Sequence, residues 1–330
     1  MVKGGKMHNA RSDPMVEEAR KRIGGDVRRT PLERSAPLGR MLGCDVYIKW
    51  ESEQVTGSFK ARGALNRVRT LTAGERNKGV VSASTGNHGA GLAHACGLEG
   101  VELTLCLPLS ARRRKVERLR TAGAAIVMHG SSCEQAELHA RAMAGREGRV
   151  YVSPYNDRDV IRGQATVGLE ILEQLPGAED IIVPVGGGGL IAGIAGFVKS
   201  AAESRGTRVW GVEPQNSRFM AASVEAGKIV RIDEKETLAD AVAGGIEPGS
   251  ITFDLCRRHV DGFVHVEERD IASAMALLFD EHGKMVEGAG ALALAALMKE
   301  KDKQRFRGRK VVLVVSGGNI PPEAFRESTA

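Results

Sequence analysis

The chain has 330 residues, 42% hydrophobic and 27% charged, the makeup of a globular protein with room for two medium domains or one large α/β unit. Its formal net charge of +6 raises nucleic acid as a partner, yet aromatic residues are only 4% and are not interleaved with the basic ones. That argues against a nucleic-acid surface and leaves a phosphorylated small molecule as the simpler anion.

The first 13 residues are polar and without periodicity and read as loose. A helix follows over 14–23, with proline at its start and Gly24-Gly25 after its end. Pro31 pushes Thr30 out of the helical region, so 29–32 reads as extended or turn. An apolar strand over 46–50 and a polar turn over 51–56 lead to a helix with Ser58 as its N-cap and Ala61, Ala64, Leu65 and Val68 along it. Lys60 would sit in the first turn of that helix, where the dipole disfavours a cation. A solvated surface lysine is the bland reading of Ser-x-Lys taken alone. The functional reading is a desolvated amine of lowered pKa, able to condense with an aldehyde.

From residue 79 short strands (80–83, 101–107, 125–128) alternate with helices (90–96, 112–120), the pattern of a parallel sheet with crossover helices. The Arg112-Arg113-Arg114-Lys115 cluster reads as a solvated helix face. A long helix is expected over 160–175, then a continuously apolar strand over 181–185, as in a sheet buried on both faces. Further strands are expected at 209–212, 262–266 and 311–315, with helices between them. Five scattered cysteines without a CxxC pair point away from disulfides and structural zinc, no metal site is expected, and no run is long and apolar enough to span a membrane. The chain reads as cytoplasmic.

Glycine is the exceptional residue, at 41 of 330 about twice its usual share. Gly186-Gly187-Gly188-Gly189 lies between a strand and a helix start, where free N–H groups and the helix dipole converge as a phosphate cradle. It lacks the lysine of a P-loop and the spacing of a dinucleotide site. Ser84-Thr85-Gly86-Asn87-His88-Gly89 is a second strand-to-helix turn, either a capped helix start or a holder for a carboxylate. Ser316-Gly317-Gly318-Asn319 is a third. Three such turns at strand ends fit the rule that ligands bind at the carboxyl edge of an open α/β sheet. A phosphate cradle, a reactive lysine and a carboxylate pocket together suggest pyridoxal phosphate acting on an amino acid.

In order and spacing, Gly57-Ser58-Phe59-Lys60-x-Arg62-Gly63, the Gly86-Asn87-His88-Gly89 turn, the tetraglycine and Ser316-Gly317-Gly318-Asn319 resemble those of the fold-type II pyridoxal-phosphate enzymes. The likeness runs from about Arg29 to Asn319 and is to the threonine/serine dehydratase branch, which also contains serine racemases. Thr237-Leu238-Ala239-Asp240 and Val286-Glu287-Gly288-Ala289-Gly290 look most like hydroxyectoine-utilisation dehydratases and similar ammonia-lyases. The resemblance implies an α/β, tryptophan synthase β-like fold of two open, twisted, mainly parallel sheets flanked by helices. It implies a large cofactor-anchoring domain (1–76 and 157–330), a small mobile domain for the substrate carboxylate (77–156), and a homodimer.

By the same resemblance Lys60 would carry the cofactor and then act as base at the substrate Cα. Phe59 would pack on the pyridine ring, Asn87 would bond its O3′, and Gly186, Gly187, Gly188 and Gly189 would bind the phosphate. Ser316 would meet the ring nitrogen, and Glu287 would also border the cofactor. Ser84, Thr85, Gly86, Asn87 and His88 would hold the substrate carboxylate, with Tyr155 lining the side-chain pocket. The implied reaction converts a β-hydroxy amino acid of the threonine or serine kind to a 2-oxo acid and ammonia.

Three positions depart from the family pattern. Thr85 stands where racemases of the branch carry a serine base and many dehydratases carry alanine. Tyr155 replaces a common phenylalanine and could place a hydroxyl in the pocket. Phe219 replaces an aspartate of the family's divalent-cation site, leaving Glu213 as a structural acid. An amino-acid racemase and a β-replacement synthase on the same scaffold, and a non-catalytic phosphate-binding module, are the competing readings. The chain ends soon after Asn319, which leads us to expect no regulatory domain and no isoleucine feedback.

Overall fold

The structure, a computed structural model, describes residues 13–204, 206–301 and 303–330. Residues 1–12, most of the tail expected to be loose, lie outside the described residues. The described residues form ten strands: β1 (Leu32–Arg34), β2 (Asp45–Trp50), β3 (Val80–Ser82), β4 (Leu103–Leu107), β5 (Ala125–Met128), β6 (Val150–Tyr151), β7 (Asp180–Pro184), β8 (Arg208–Pro214), β9 (Gly262–Val266) and β10 (Lys310–Val315). They form a six-stranded sheet in the order β1-β2-β10-β7-β8-β9 and a four-stranded sheet in the order β5-β4-β3-β6. Among these strands of the described residues, β1–β2 pair antiparallel and every other pair is parallel.

The central strands are continuously apolar because helices cover both faces of the larger sheet. Ile181, Ile182, Val183, Val311, Val312, Leu313 and Val314 have no exposed surface. Parallel pairing puts the carboxyl ends of β2, β10 and β7 side by side on one edge. The segments leaving those ends are the Lys60 turn, the 316–319 turn and the tetraglycine turn. The 84–89 turn leaves β3 and residues 152–155 leave β6, neighbours in the smaller sheet.

Lys60 begins helix Lys60–Arg69, and here the expected cap fails: Phe59 occupies the cap position and no side chain caps the helix. Ser58 is instead bridged to Gly317, and Phe59 N–H donates to the Ser316 carbonyl at 3.1 Å. The backbone before the helix is thus spent on stitching two site turns together, and the buried Ser58 hydroxyl has no protein partner among the described residues.

The helix is fixed from below by charge. Arg62 donates to both oxygens of Glu51 (2.8 and 2.8 Å) and of Glu170 (2.6 and 3.0 Å). Lys49 Nζ binds Glu170 as well, together with Gln174 and the Thr30 carbonyl. All four charged groups are buried and balance one another, so each relies on its partners for the solvation it has lost.

Helix Asn87–Glu99 starts three residues earlier than expected. Gly89 reads as a turn residue in sequence and Gly91 as helical; both are helical and are required by close approach. A Cβ on Gly91 would lie 3.1 Å from the Lys60 carbonyl carbon and oxygen.

Candidate active site

Lys60 Nζ donates to the Pro154 carbonyl at 2.8 Å. Burial pushes its pKa down to about 8, with the charge of Glu287 pulling the other way. The next residue, Tyr155, lies over the tetraglycine turn: a Cβ on Gly187 would collide with its ring, and one on Gly189 would come within 3.0 Å of its Cα. The Lys60 amine and the tetraglycine turn therefore touch consecutive residues of one segment.

Each glycine of the turn is sterically required by protein neighbours. Gly186 faces the Val242 backbone at 2.8 Å, and Gly188, with φ +84°, faces Met220, Thr252 and Cys256. The four glycines thus have a packing reason as well as a binding one. Among the described residues no protein group accepts from the backbone N–H of Gly186, Gly187, Gly188 or Gly189. At the start of helix Gly189–Ser200 such unbonded donors, with the helix dipole behind them, are able to bind an anion.

Asn87 and Ser316 follow strands of different sheets; Asn87 meets Glu287 and Asn319, and the Ser316 carbonyl accepts from the Phe59 N–H beside Lys60. Asn87 Nδ2 donates to Glu287 Oε1 at 2.7 Å, and its Oδ1 accepts from Asn319 Nδ2 at 2.8 Å. Burial, then the charge of Asp240, push the Glu287 pKa up to about 7, against the Asn87 amide and the Asn319 N–H. The buried Ser316 hydroxyl donates to the Ala289 carbonyl at 3.3 Å. Phe59 is half-buried, with Lys60 Nζ 5.2 Å from its ring centre.

In the carboxylate turn, Ser84 Oγ accepts from the Gly86 N–H at 3.2 Å, Thr85 is half-buried and Gly86 is exposed. His88 turns its ring inward: Nε2 donates to the Val152 carbonyl at 3.2 Å, and Nδ1 has no partner among the described residues. Burial, then the Lys60 charge, push its pKa down to about 3, so the ring is neutral. Only the His88 backbone is left to face a carboxylate. Tyr155 also differs from expectation. Its hydroxyl accepts from the Glu247 N–H at 3.0 Å and is held there, while burial pushes the phenol up to about 12.

Glu213 accepts from the Met220 and Ala221 N–H groups at 2.8 and 2.9 Å and so caps helix Phe219–Ala226 from a distance. Burial pushes its pKa up to about 8 against those donors. Sequence reading missed the Pro154 carbonyl under Lys60 and the service of Asn319 to Asn87. The first carries no sequence signal; the second was available as the last residue of Ser316-Gly317-Gly318-Asn319.

Residues 23–317 match the family described as pyridoxal-phosphate dependent enzyme. The chain is 41% identical over 305 residues to an L-threonine ammonia-lyase of Thermotoga maritima, covering 92% of this chain and 75% of the relative. It is 40% identical over 305 residues to the catabolic L-threonine dehydratase TdcB of Escherichia coli K12, covering 92% of each. Among solved structures, the processed form of threonine deaminase isoform 2 from Solanum lycopersicum superposes with a TM-score of 0.89 at 32% identity, over 100% of this chain and 98% of that one. Maize serine racemase superposes equally well, with a TM-score of 0.89 at 34% identity over 97% of each chain. With its lysine, its open glycine cradle and these relatives, the chain belongs to the pyridoxal-phosphate dependent enzyme family.

Proposed function

We infer that this protein is a pyridoxal-phosphate-dependent ammonia-lyase that dehydrates a threonine-type β-hydroxy amino acid to a 2-oxo acid and ammonium. One observation carries the reading: the amine of Lys60 meets Pro154, while Gly187 and Gly189 of the tetraglycine turn pack against the next residue, Tyr155. That adjacency suits a small aromatic aldehyde with an anionic tail. The residues present therefore fit the cofactor, which when bound supplies an electron sink that acidifies the substrate Cα–H.

The chain's own groups do the rest. Gly186, Gly187, Gly188 and Gly189 would anchor the phosphate through N–H donors, and Phe59 would pack on the ring. Asn87 would offer its remaining amide proton to the ring oxygen, and Ser316, its hydroxyl turned from the Ala289 carbonyl, would present a neutral hydroxyl to the ring nitrogen. A pKa near 8 leaves part of the Lys60 amine unprotonated at neutral pH, as a base that takes the Cα proton must be. Backbone N–H groups of 84–88 and the Ser84 and Thr85 hydroxyls hold the substrate carboxylate. Residues 77–156 form the smaller domain and close over the substrate, excluding water. The four-stranded sheet, all of whose strands lie within 80–151, supports this division.

A second reading, racemisation, is favoured by the Thr85 hydroxyl, a candidate base for the opposite face of Cα. The homodimer and the cytoplasmic setting rest on the sequence reading; sedimentation velocity checks the first. The test of function is ammonia release from threonine, serine, phenylserine, hydroxyaspartate and a hydroxyectoine-derived amino acid. Visible absorbance of the purified protein and its loss in Lys60→Ala are followed alongside. Turnover of threonine to 2-oxobutanoate supports the lyase. Inversion of serine with solvent deuterium at Cα and little pyruvate would replace it with the racemase.

A further inference from the structure

The Gly187 carbonyl accepts a hydrogen bond from Thr252 Oγ1 at 2.7 Å. A carbonyl has no proton to give, so the single proton of the Thr252 hydroxyl is committed to it. The 2.7 Å contact between Ser250 Oγ and Thr252 Oγ1 must then run with Ser250 as donor. Both residues are buried. The result is a one-way chain of hydrogen bonds from Ser250 to Thr252 to the tetraglycine backbone.

Ser250 stands at the N-cap of helix Ile251–His259, where a serine ordinarily accepts from the backbone N–H groups of the first turn. It makes no such bond, and its hydroxyl serves Thr252 instead. The start of this helix is tied elsewhere: Ile251 N–H donates to Asn156 Oδ1 at 3.0 Å. Asn156 follows Tyr155, whose ring covers Gly187. The turn is thus gripped from one side by Tyr155 and from the other by Thr252.

Peptide planarity gives the grip a consequence. In a trans amide the carbonyl and the following N–H point in opposite directions. Drawing the Gly187 carbonyl toward helix Ile251–His259 turns the Gly188 N–H away from that helix, and the positive φ of Gly188 permits the twist. With that bond absent, the same peptide could rotate and present its carbonyl, an acceptor, to the anion site.

We propose that Thr252, held by Ser250, is a positioning residue for the phosphate cradle, fixing the Gly187–Gly188 peptide plane so that the Gly188 N–H faces the cofactor phosphate. The proposal rests on the reading of 186–189 as the phosphate site. The test is titration of cofactor-free protein with pyridoxal phosphate and, separately, with pyridoxal, which lacks the phosphate.

Thr252→Val is expected to weaken pyridoxal phosphate about tenfold, the worth of one well-made hydrogen bond, and to leave pyridoxal unchanged. Thr252→Ser, which keeps the hydroxyl, restores the affinity, and Ser250→Ala gives a smaller loss of the same selectivity. The phosphorus resonance of the bound cofactor shifts in Thr252→Val and returns in Thr252→Ser. Equal losses for both ligands, or no loss for either, would overturn the proposal. Wild-type protein that takes pyridoxal as tightly as pyridoxal phosphate would overturn the phosphate reading itself, and the role of Thr252 with it.

Discussion

Asn87 and Glu287 are joined by a 2.7 Å hydrogen bond although 200 positions separate them in the chain. Because Asn319 holds the other end of the same amide, Asn87 cannot flip without losing both partners. Helix Asn87–Glu99 and helix Gly288–Lys299, packed with different sheets, therefore meet at one oriented amide.

That contact sets a pH dependence. The Lys60 pKa is lowered to about 8 by burial and held up by the charge of Glu287. Capture of pyridoxal phosphate by cofactor-free protein needs the unprotonated amine, so its rate should rise with pH through about 8. Glu287→Gln removes a negative charge, which lowers the Lys60 pKa further, so the midpoint should move to lower pH. Stopped-flow absorbance across pH reads this directly; a midpoint unmoved or moved upward contradicts the coupling.

Two glycines close together in the chain should respond in opposite senses to alanine. A Cβ on Gly187 collides with the Tyr155 ring, whereas one on Gly196, within helix Gly189–Ser200, meets nothing within 4 Å. Gly187→Ala should lose about 1–3 kcal/mol and most of its cofactor affinity, as overpacked sites do. Gly196→Ala should gain about 0.5–1 kcal/mol through reduced backbone freedom in the unfolded chain. Denaturant melts with cofactor titrations compare the two.

Arg62→Met should cost about 3–5 kcal/mol, because it leaves Glu51 and Glu170 buried with one cation between them. Arg114→Ala breaks an ion pair whose side chains are 77% and 55% exposed, and should cost under about 1 kcal/mol. Equal effects in urea melts would mean that the buried cluster is not what braces the Lys60 helix.

Tyr155→Phe should leave kcat within about threefold and cost about 1 kcal/mol of stability, since it removes the oxygen that accepts from the Glu247 N–H. A large change in KM between threonine and serine would place the hydroxyl at the substrate after all.

What the sequence made legible and what it hid follow from physics. β7 and β10 were readable because strands buried on both faces must be apolar throughout, and the three turns because glycines and hydroxyls cluster there. Helix Cys133–Glu147 was not, since it buries only Ala136, Ala140 and Ala144, too small to give an apolar stripe. Helix Ala36–Leu42 was masked by Pro37 and Gly39, the latter required where a Cβ would lie 2.9 Å from the Cys44 carbonyl. At the site, motif spacing brought Lys60, Asn87, the tetraglycine and Ser316 into view. The orientation of side chains was beyond it: His88 faces inward and the Tyr155 hydroxyl is already engaged, both decided by distant backbone groups.

Gly91 rests against the main chain of Lys60 with no side chain between them. A soft residue there would act as a cushion, letting helix Asn87–Glu99 shift while the lysine stayed put. Bare backbone on backbone leaves no such slack, so a displacement of that helix on substrate entry would be felt by the reactive amine within the same step.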